Sequence, residues 1–272
     1  MHRRLWVVKV GSQAISDGGA LLIQDWMRQV RDVCREQKID FIWVTSGAIA
    51  TARDRIGPSQ PSESSSKRRR ASLSGRQALS AIGQPLLMQT YLQALGYFGM
   101  LGSQVLLTAD DLANNDRQTL VIQCLSELLK MGVLPILNEN DATSTEEIQF
   151  GDNDHLSALV AAAVGAERLI LMSDIEGYYS SNPKLDPNAR LISRVSKVTP
   201  DLLARARNEL TSKAGRGGIL SKLKAAQMGF EKGFVVHLLN ARVPDALVRL
   251  AGGEQIGTVF TNQPSPESRE RP

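Results

Sequence analysis

The chain is poor in the residues that usually announce chemistry. Two cysteines, Cys34 and Cys124, stand in 272 residues. So few exclude a disulfide framework, and their apolar helical surroundings predict buried thiols of a reducing compartment. Three histidines are present, His2, His155 and His237: one at the terminus, one after an Asp cluster, one inside an apolar run. That scatter offers no nucleophilic triad, and no Cys/His spacing fits structural zinc. His155 is expected on a helix surface. No run of 18 apolar residues occurs, so no membrane-spanning helix is expected. Met-His-Arg-Arg passes straight into an apolar run, leaving no room for a secretory signal, so the expected location is the cytoplasm. Net charge is +4, and Lys67-Arg68-Arg69-Arg70 alone accounts for an excess of that size. A nucleic-acid footprint is therefore not indicated. There is no internal repeat and no sign of a second core. At this length one core buries roughly three quarters of the unfolded surface.

What is present is alternation. Apolar strand-like runs lie at Leu5–Val10, Asp40–Thr45, Gln104–Leu107, Gly132–Leu137, Arg168–Met172, Phe234–Leu239 and Gly257–Thr261. Helical spacing fills the intervals: Ile23–Cys34, Leu79–Leu95, a helix capped by Asp110-Asp111 and running to Met131, and His155–Val164. Further helices start at Thr199-Pro200 and near Gly218. This order predicts an α/β fold, three αβα layers around a mainly parallel sheet. The domain is expected to span 1–262. Residues 58–74, rich in Ser, Pro and basic residues, predict a solvated mobile loop, and 263–272 a disordered tail. Gly177–Arg194 is irregular; its Tyr178-Tyr179 could flank a base or pack the loop.

Chemistry concentrates at two points. Asn138, Asn140 and Asp141 close an apolar strand, and Asp152-Asn153-Asp154 opens a helix, with a polar hairpin-like flap at Ala142–Phe150 between them. Capping explains one or two such residues but not two clusters. Strand ends and helix starts are where open α/β sheets place ligands. Lys9 interrupts the first strand just before Gly11-Ser12, a cation at the carboxyl end of the sheet. Ser46-Gly47-Ala48-Ile49 is a small-residue turn that can present N–H groups to an anion. Gly215-Arg216-Gly217-Gly218-Ile219-Leu220-Ser221-Lys222 fails as a Walker A loop, because Leu220 stands where the second glycine is required. Its glycines and helix start still suit phosphate, with Lys222 one turn in. Two lysines opposite Asp154, Asp141 and Asp174, with Mg²⁺, meet the needs of phosphoryl transfer: charge compensation and alignment.

Taken in order, several motifs resemble the glutamate 5-kinases, a family of the amino-acid-kinase fold. They are Val-Val-Lys9-Val-Gly-Ser, Val-Thr-Ser46-Gly-Ala-Ile-Ala, Gln77 to Gln84, Asn138-Glu-Asn-Asp141, Gly151-Asp-Asn-Asp154, Ser173-Asp174 and Gly217-Gly218 with Lys222. They cover about residues 5 to 262. The resemblance implies ATP-dependent phosphorylation of the side-chain carboxylate of L-glutamate, the first step of proline biosynthesis. It implies Lys9 and Lys222 on the transferred group, with Asp154 orienting them. It places Ser46, Asp141 and Asn153 on glutamate, with Gly47, Asn138 and Asp152 nearby. Lys9, Gly11, Ser173, Asp174, Arg216, Gly217, Gly218 and Lys222 fall to the nucleotide. Mg²⁺ would arrive with ATP, with no metal site made by protein alone. Proline as feedback inhibitor, a glutamyl-phosphate reductase as partner and a homo-oligomer are further implications. Gln13 and Arg216 depart from the family pattern, and the chain stops about where many members carry a PUA domain. A uridylate kinase would want arginines around its acceptor, and an N-acetylglutamate kinase would give Asp141 no ammonium. A silent sensor would not need both lysines and Asp154.

Overall fold

Runs of β-branched, aromatic and leucine residues make the strands, and amphipathic stretches return between them. The computed structural model describes residues 3–57, 72–143, 153–183, 185–209 and 218–263. β1 (Arg4–Val10) leads into α1 (Ser12–Glu36), and β2 (Ile39–Val44) into α2 (Ala48–Ile56) and α3 (Leu73–Gly96). β3 (Leu101–Leu107) precedes α4 (Ala109–Ala113) and α5 (Asn115–Lys130), and β4 (Val133–Glu139) precedes α6 (Asn153–Ala163). After β5 (Arg168–Ser173) come β6 (Tyr178–Tyr179), β7 (Leu191–Ile192), β8 (Arg194–Val195), α7 (Pro200–Glu209) and α8 (Ile219–Lys232). β9 (Val235–Asn240), α9 (Ala246–Ala251) and β10 (Thr258–Phe260) complete the order.

The main sheet has eight strands in the order β3-β4-β2-β1-β5-β9-β10-β8, and β6 and β7 form a separate antiparallel ribbon. Its pairs are parallel except β9 with β10. β1 lies between β2 and β5, so connections leave its neighbourhood in opposite directions. Beyond the carboxyl ends of the strands at such a reversal is where open α/β sheets place their ligands. Side-chain alternation lets one sheet feed two cores. Trp6, Val8 and Val10 pack with residues of α1, α2, α3 and α9. Val7 packs on the other face with residues of α4 to α8. The result is the expected three-layer α/β arrangement.

Several boundaries and environments differ from expectation. α1 starts at Ser12, capped by Gly11, and crosses an irregular step at Gly19 (φ 56°, ψ −152°) that broke the periodic signal. The helix before Met131 is divided. Thr108 and Asp111 form a capping box on α4, whereas the Asn114 side chain caps α5 by accepting from Asp116 and Arg117 N–H. Ser72, assigned to the loop, instead caps α3, its Oγ accepting from Gly75 N–H at 3.1 Å. The rest of that loop, 58–71, most of the flap, 144–150, and the tail 264–272 lie outside the described residues. Cys124 is exposed rather than buried, because only part of α5 faces the core. Cys34 is half-buried, and burial beside Asp40 pushes its thiol up to about 12. Tyr178 packs against Phe260, ring centroids 6.3 Å apart. Among the described residues no helix is long and apolar enough to cross a membrane.

Candidate active site

Lys9 shares a strand face with Val7, and that face looks toward α6. Its Nζ lies 2.5 Å from Oδ1 of Asp154, in the first turn of α6. From α8, Lys222 Nζ reaches Oδ2 of the same carboxylate at 3.0 Å. All three side chains are buried, Asp154 completely. An anion in the first turn of a helix also gains from the unpaired N–H groups and the positive end of the helix dipole. Ser221, one residue before Lys222, places Oγ 2.8 Å from Asp154 Oδ2 and 2.8 Å from the Gly218 carbonyl. A hydroxyl has one proton, so it donates to one of these at a time.

Beside this cluster lies a chain of amides. Asn153 Nδ2 donates to the Thr45 carbonyl at 2.6 Å and to Asn138 Oδ1 at 2.8 Å. Asn138 Oδ1 also accepts from Glu139 N–H at 2.9 Å, and its Nδ2 donates to Gln84 Oε1 at 3.2 Å. Gln84, on α3, returns a hydrogen bond from Nε2 to the Glu139 carbonyl at 3.2 Å. Beneath them Tyr91 OH accepts from Thr45 Oγ1 and Trp43 Nε1, both at 3.0 Å. Burial pushes the Tyr91 phenol up to about 12 against those two bonds, so the ring stays neutral.

The other expected residues fall around the same carboxyl edge. Ser46 is half-buried after β2, and Gly47 caps α2 with φ 93°, a left-handed conformation that favours glycine. A Cβ there would sit 3.6 Å from that of Ser12, so α1 and α2 begin side by side. Gly11 N–H donates to the Met172 carbonyl at 3.1 Å, tying the ends of β1 and β5 together. Ser173 Oγ donates to Asp174 Oδ1 at 3.0 Å, and Asp174 itself is exposed. Asp141 is half-buried in the turn after β4. Gly218 caps α8, whereas Asp152, Arg216 and Gly217 lie outside the described residues. His155 is half-buried rather than on the surface, and burial with nearby Lys224 lowers its pKa. Sequence reasoning gave no role to Gln84, Thr45, Tyr91 or Ser221. Gln84 sat inside a motif of the resemblance, and Ser221 adjoined an expected lysine; those were the available signals.

The model of the "Amino acid kinase family" matches residues 4–240, which include every part of this arrangement. The chain belongs to the amino acid kinase family. A glutamate 5-kinase from Gloeobacter violaceus is 40% identical over 258 residues, 93% of this chain and 67% of its own length. One from Trichlorobacter lovleyi is 38% identical over 93% of this chain, which spans 66% of that protein. One from Clostridium acetobutylicum is 38% identical, with 93% of each chain covered, so this family also has members of about this length. Among solved structures, UMP kinase from Ureaplasma parvum superposes with a TM-score of 0.59 at 14% identity, covering 96% of this chain and all of that one. Isopentenyl phosphate kinase from T. acidophilum gives 0.59 at 16% identity, covering 94% and 99%. These two likenesses concern the shared amino-acid-kinase fold.

Proposed function

We propose that this amino acid kinase transfers the terminal phosphoryl group of ATP to the side-chain carboxylate of L-glutamate, giving glutamyl 5-phosphate. The observation that carries the reading is the Lys9–Asp154–Lys222 cluster at the carboxyl end of the sheet, with the amide chain beside it. Two ammonium groups and the N-termini of α6 and α8 suit a polyphosphate and the charge that develops on a transferred phosphoryl group. In this reading Lys9 and Lys222 hold the transferred group and Asp154 fixes the two ammonium groups relative to each other. The nucleotide lies along Gly11, Ser173, Asp174 and the segment Arg216 to Lys222. Mg²⁺ carried on the ATP phosphates would neutralise their charge; among the described residues no group of three or more His, Cys, Asp or Glu could hold an ion.

On the acceptor side Ser46, Gly47, Asn138, Asp141, Asp152 and Asn153 surround glutamate, the carboxylate of Asp141 facing its ammonium. A side-chain carboxylate with an ordinary pKa of about 4.3 is already an ionised nucleophile at neutral pH, so no general base is needed. Relatives near 40% identity bear the name glutamate 5-kinase, which supports the choice of acceptor. A cytoplasmic place at the opening of proline synthesis follows from the reading, as do competition by proline at the acceptor site, supply to a glutamyl-phosphate reductase, and self-association. The test is ATP consumption with glutamate, aspartate, N-acetylglutamate and uridylate offered separately. Turnover with glutamate at least tenfold above the others supports the reading. Preference for uridylate or N-acetylglutamate sinks it.

A further inference from the structure

Three backbone groups determine the sense of every amide in the chain beside Asp154. A backbone N–H only donates and a backbone carbonyl only accepts. Glu139 N–H, 2.9 Å from Asn138, therefore marks that atom as Oδ1. The Thr45 carbonyl, 2.6 Å from Asn153, marks Nδ2, and the Glu139 carbonyl, 3.2 Å from Gln84, marks Nε2. The consequence falls on Asn153. Both protons of its Nδ2 are committed, to Thr45 and to Asn138 Oδ1. Its Oδ1 is then the one polar side-chain atom open to a ligand, and an oxygen recognises a donor. Asn138 Oδ1 already accepts twice, so Asn138 acts mainly by holding Asn153.

Gln84 closes this chain from outside the acceptor turns. Buried on α3, it accepts from Asn138 Nδ2 through Oε1 and donates to the Glu139 carbonyl through Nε2. Its Oε1 also accepts from Gln104 at 3.4 Å. A small cavity lined by Thr45, Gln84, Tyr91, Gln104 and Asn138 lies against it, leaving room for these amides to turn if the chain is cut. The neighbouring Gly83 packs so tightly on α2 that Gln84 has little freedom to shift along the helix.

We propose that Gln84 is a positioning residue for acceptor recognition: it fixes the Asn138–Asn153 pair so that Asn153 offers Oδ1 to the substrate ammonium. This rests on the glutamate reading above. Without Gln84, Asn138 Nδ2 loses its partner, only the Glu139 N–H and the Thr45 carbonyl still orient the pair, and the oxygen facing the ammonium is held less firmly. Gln84→Met keeps the length of the side chain and removes its hydrogen bonds. The expected result is an approximately tenfold rise in glutamate KM, the scale of leaving one buried polar group unsatisfied. The ATP KM and kcat should stay within about twofold of the parent values, because in the reading above ATP and the transferred group lie on Lys9, Lys222 and the nucleotide segments rather than on this amide chain. The preference for glutamate over glutarate, which lacks the ammonium, should shrink by a similar factor.

Gln104→Ala alters an exposed residue and loosens Gln84 from the outside, so it serves if Gln84→Met does not fold. It should raise glutamate KM about threefold, less than removal of a full buried hydrogen bond. An unchanged glutamate KM in both variants overturns the proposal, as does an ATP KM or kcat that moves as much as the glutamate KM. So does an unchanged glutamate-to-glutarate ratio. If the parent enzyme does not phosphorylate glutamate at all, the functional reading fails instead, and the two failures are told apart by that first measurement.

Discussion

Two ammonium groups and a carboxylate buried together lose hydration that their mutual attraction offsets only when geometry is good. Apolar side chains of the same size would suit the ends of β1 and α8 better if stability alone were at issue. The charges therefore point to a ligand, and substitution there should change rate before affinity for the acceptor. Lys222→Ala is expected to lower kcat by on the order of 10²–10³, the scale of removing one electrostatic donor from a transition state. Glutamate KM should change far less, and steady-state kinetics with both substrates varied would read this. A near-parental kcat would remove Lys222 from the transferred group. At this scale the sequence was legible where a residue broke a pattern. Lys9 interrupts an apolar strand, and Asp154 sits in an acidic cluster too dense for capping. Gln84 and Ser221 break nothing: one polar residue on an amphipathic helix and one serine in a first turn are ordinary. Their partners, Glu139 at 55 residues' distance and Asp154 at 67, exist only once the chain has folded.

The elements hold the site by close approach. A Cβ on Gly83 would stand 1.7 Å from the Ala48 carbonyl, so α3 crosses α2 with backbone against backbone. α2 begins at Gly47, next to Ser46, and a forced separation would move that turn as well as the helix. Gly83→Ala should therefore destabilise by about 1–3 kcal/mol through overpacking, lower the melting temperature and raise glutamate KM. Gly96→Ala on the same helix is the control. Its Cβ would meet nothing within 4 Å, so stability should hold or rise slightly. Equal melting temperatures for the two variants would mean that the helices are not packed this closely. Apolar period found most strands to within a few residues, because buried parallel strands read as continuous runs. It misjudged ends set by single polar groups. Asn114 caps α5 and Ser72 caps α3, and neither could be told in advance from the neighbouring Asp110-Asp111 or the serine-rich stretch.

Across the whole molecule the two faces of the sheet are used differently. Lys9 and Asp154 lie at its carboxyl end, on the face covered by α6 and α8. His237 lies mid-strand on β9, opposite Ile170 of β5 and Val259 of β10. Arg168 donates to His237 Nε2 at 2.9 Å, so the ring accepts there and is neutral. Arg168 also lies over Trp6, 5.2 Å from the ring centre, and Arg4 donates to both Glu167 oxygens through Nε and Nη2. Burial, followed by the charge of Arg168 and opposed by that of Glu167, holds His237 down to about 3 from its ordinary 6.5. The folded chain thus binds fewer protons at this site than the unfolded chain between those values. Its contribution to stability is complete above about 6.5 and is lost toward 3, at a slope approaching about 1.4 kcal/mol per pH unit. Burial raises Glu167, but Arg4 and Arg168 outweigh it and leave the group below 4.5, so its contribution fades only at lower pH. The two are therefore separable by where the loss begins. Denaturant unfolding from pH 7.5 to 5 should show parental stability falling from about 6.5 downward, the ordinary histidine value. His237→Gln, which can still accept from Arg168, should fall less steeply over that interval, the remaining slope coming from His155, whose pKa burial and Lys224 also lower, and should start from a similar value at pH 7.5. A parallel decline in both proteins would place the acid sensitivity elsewhere in the chain.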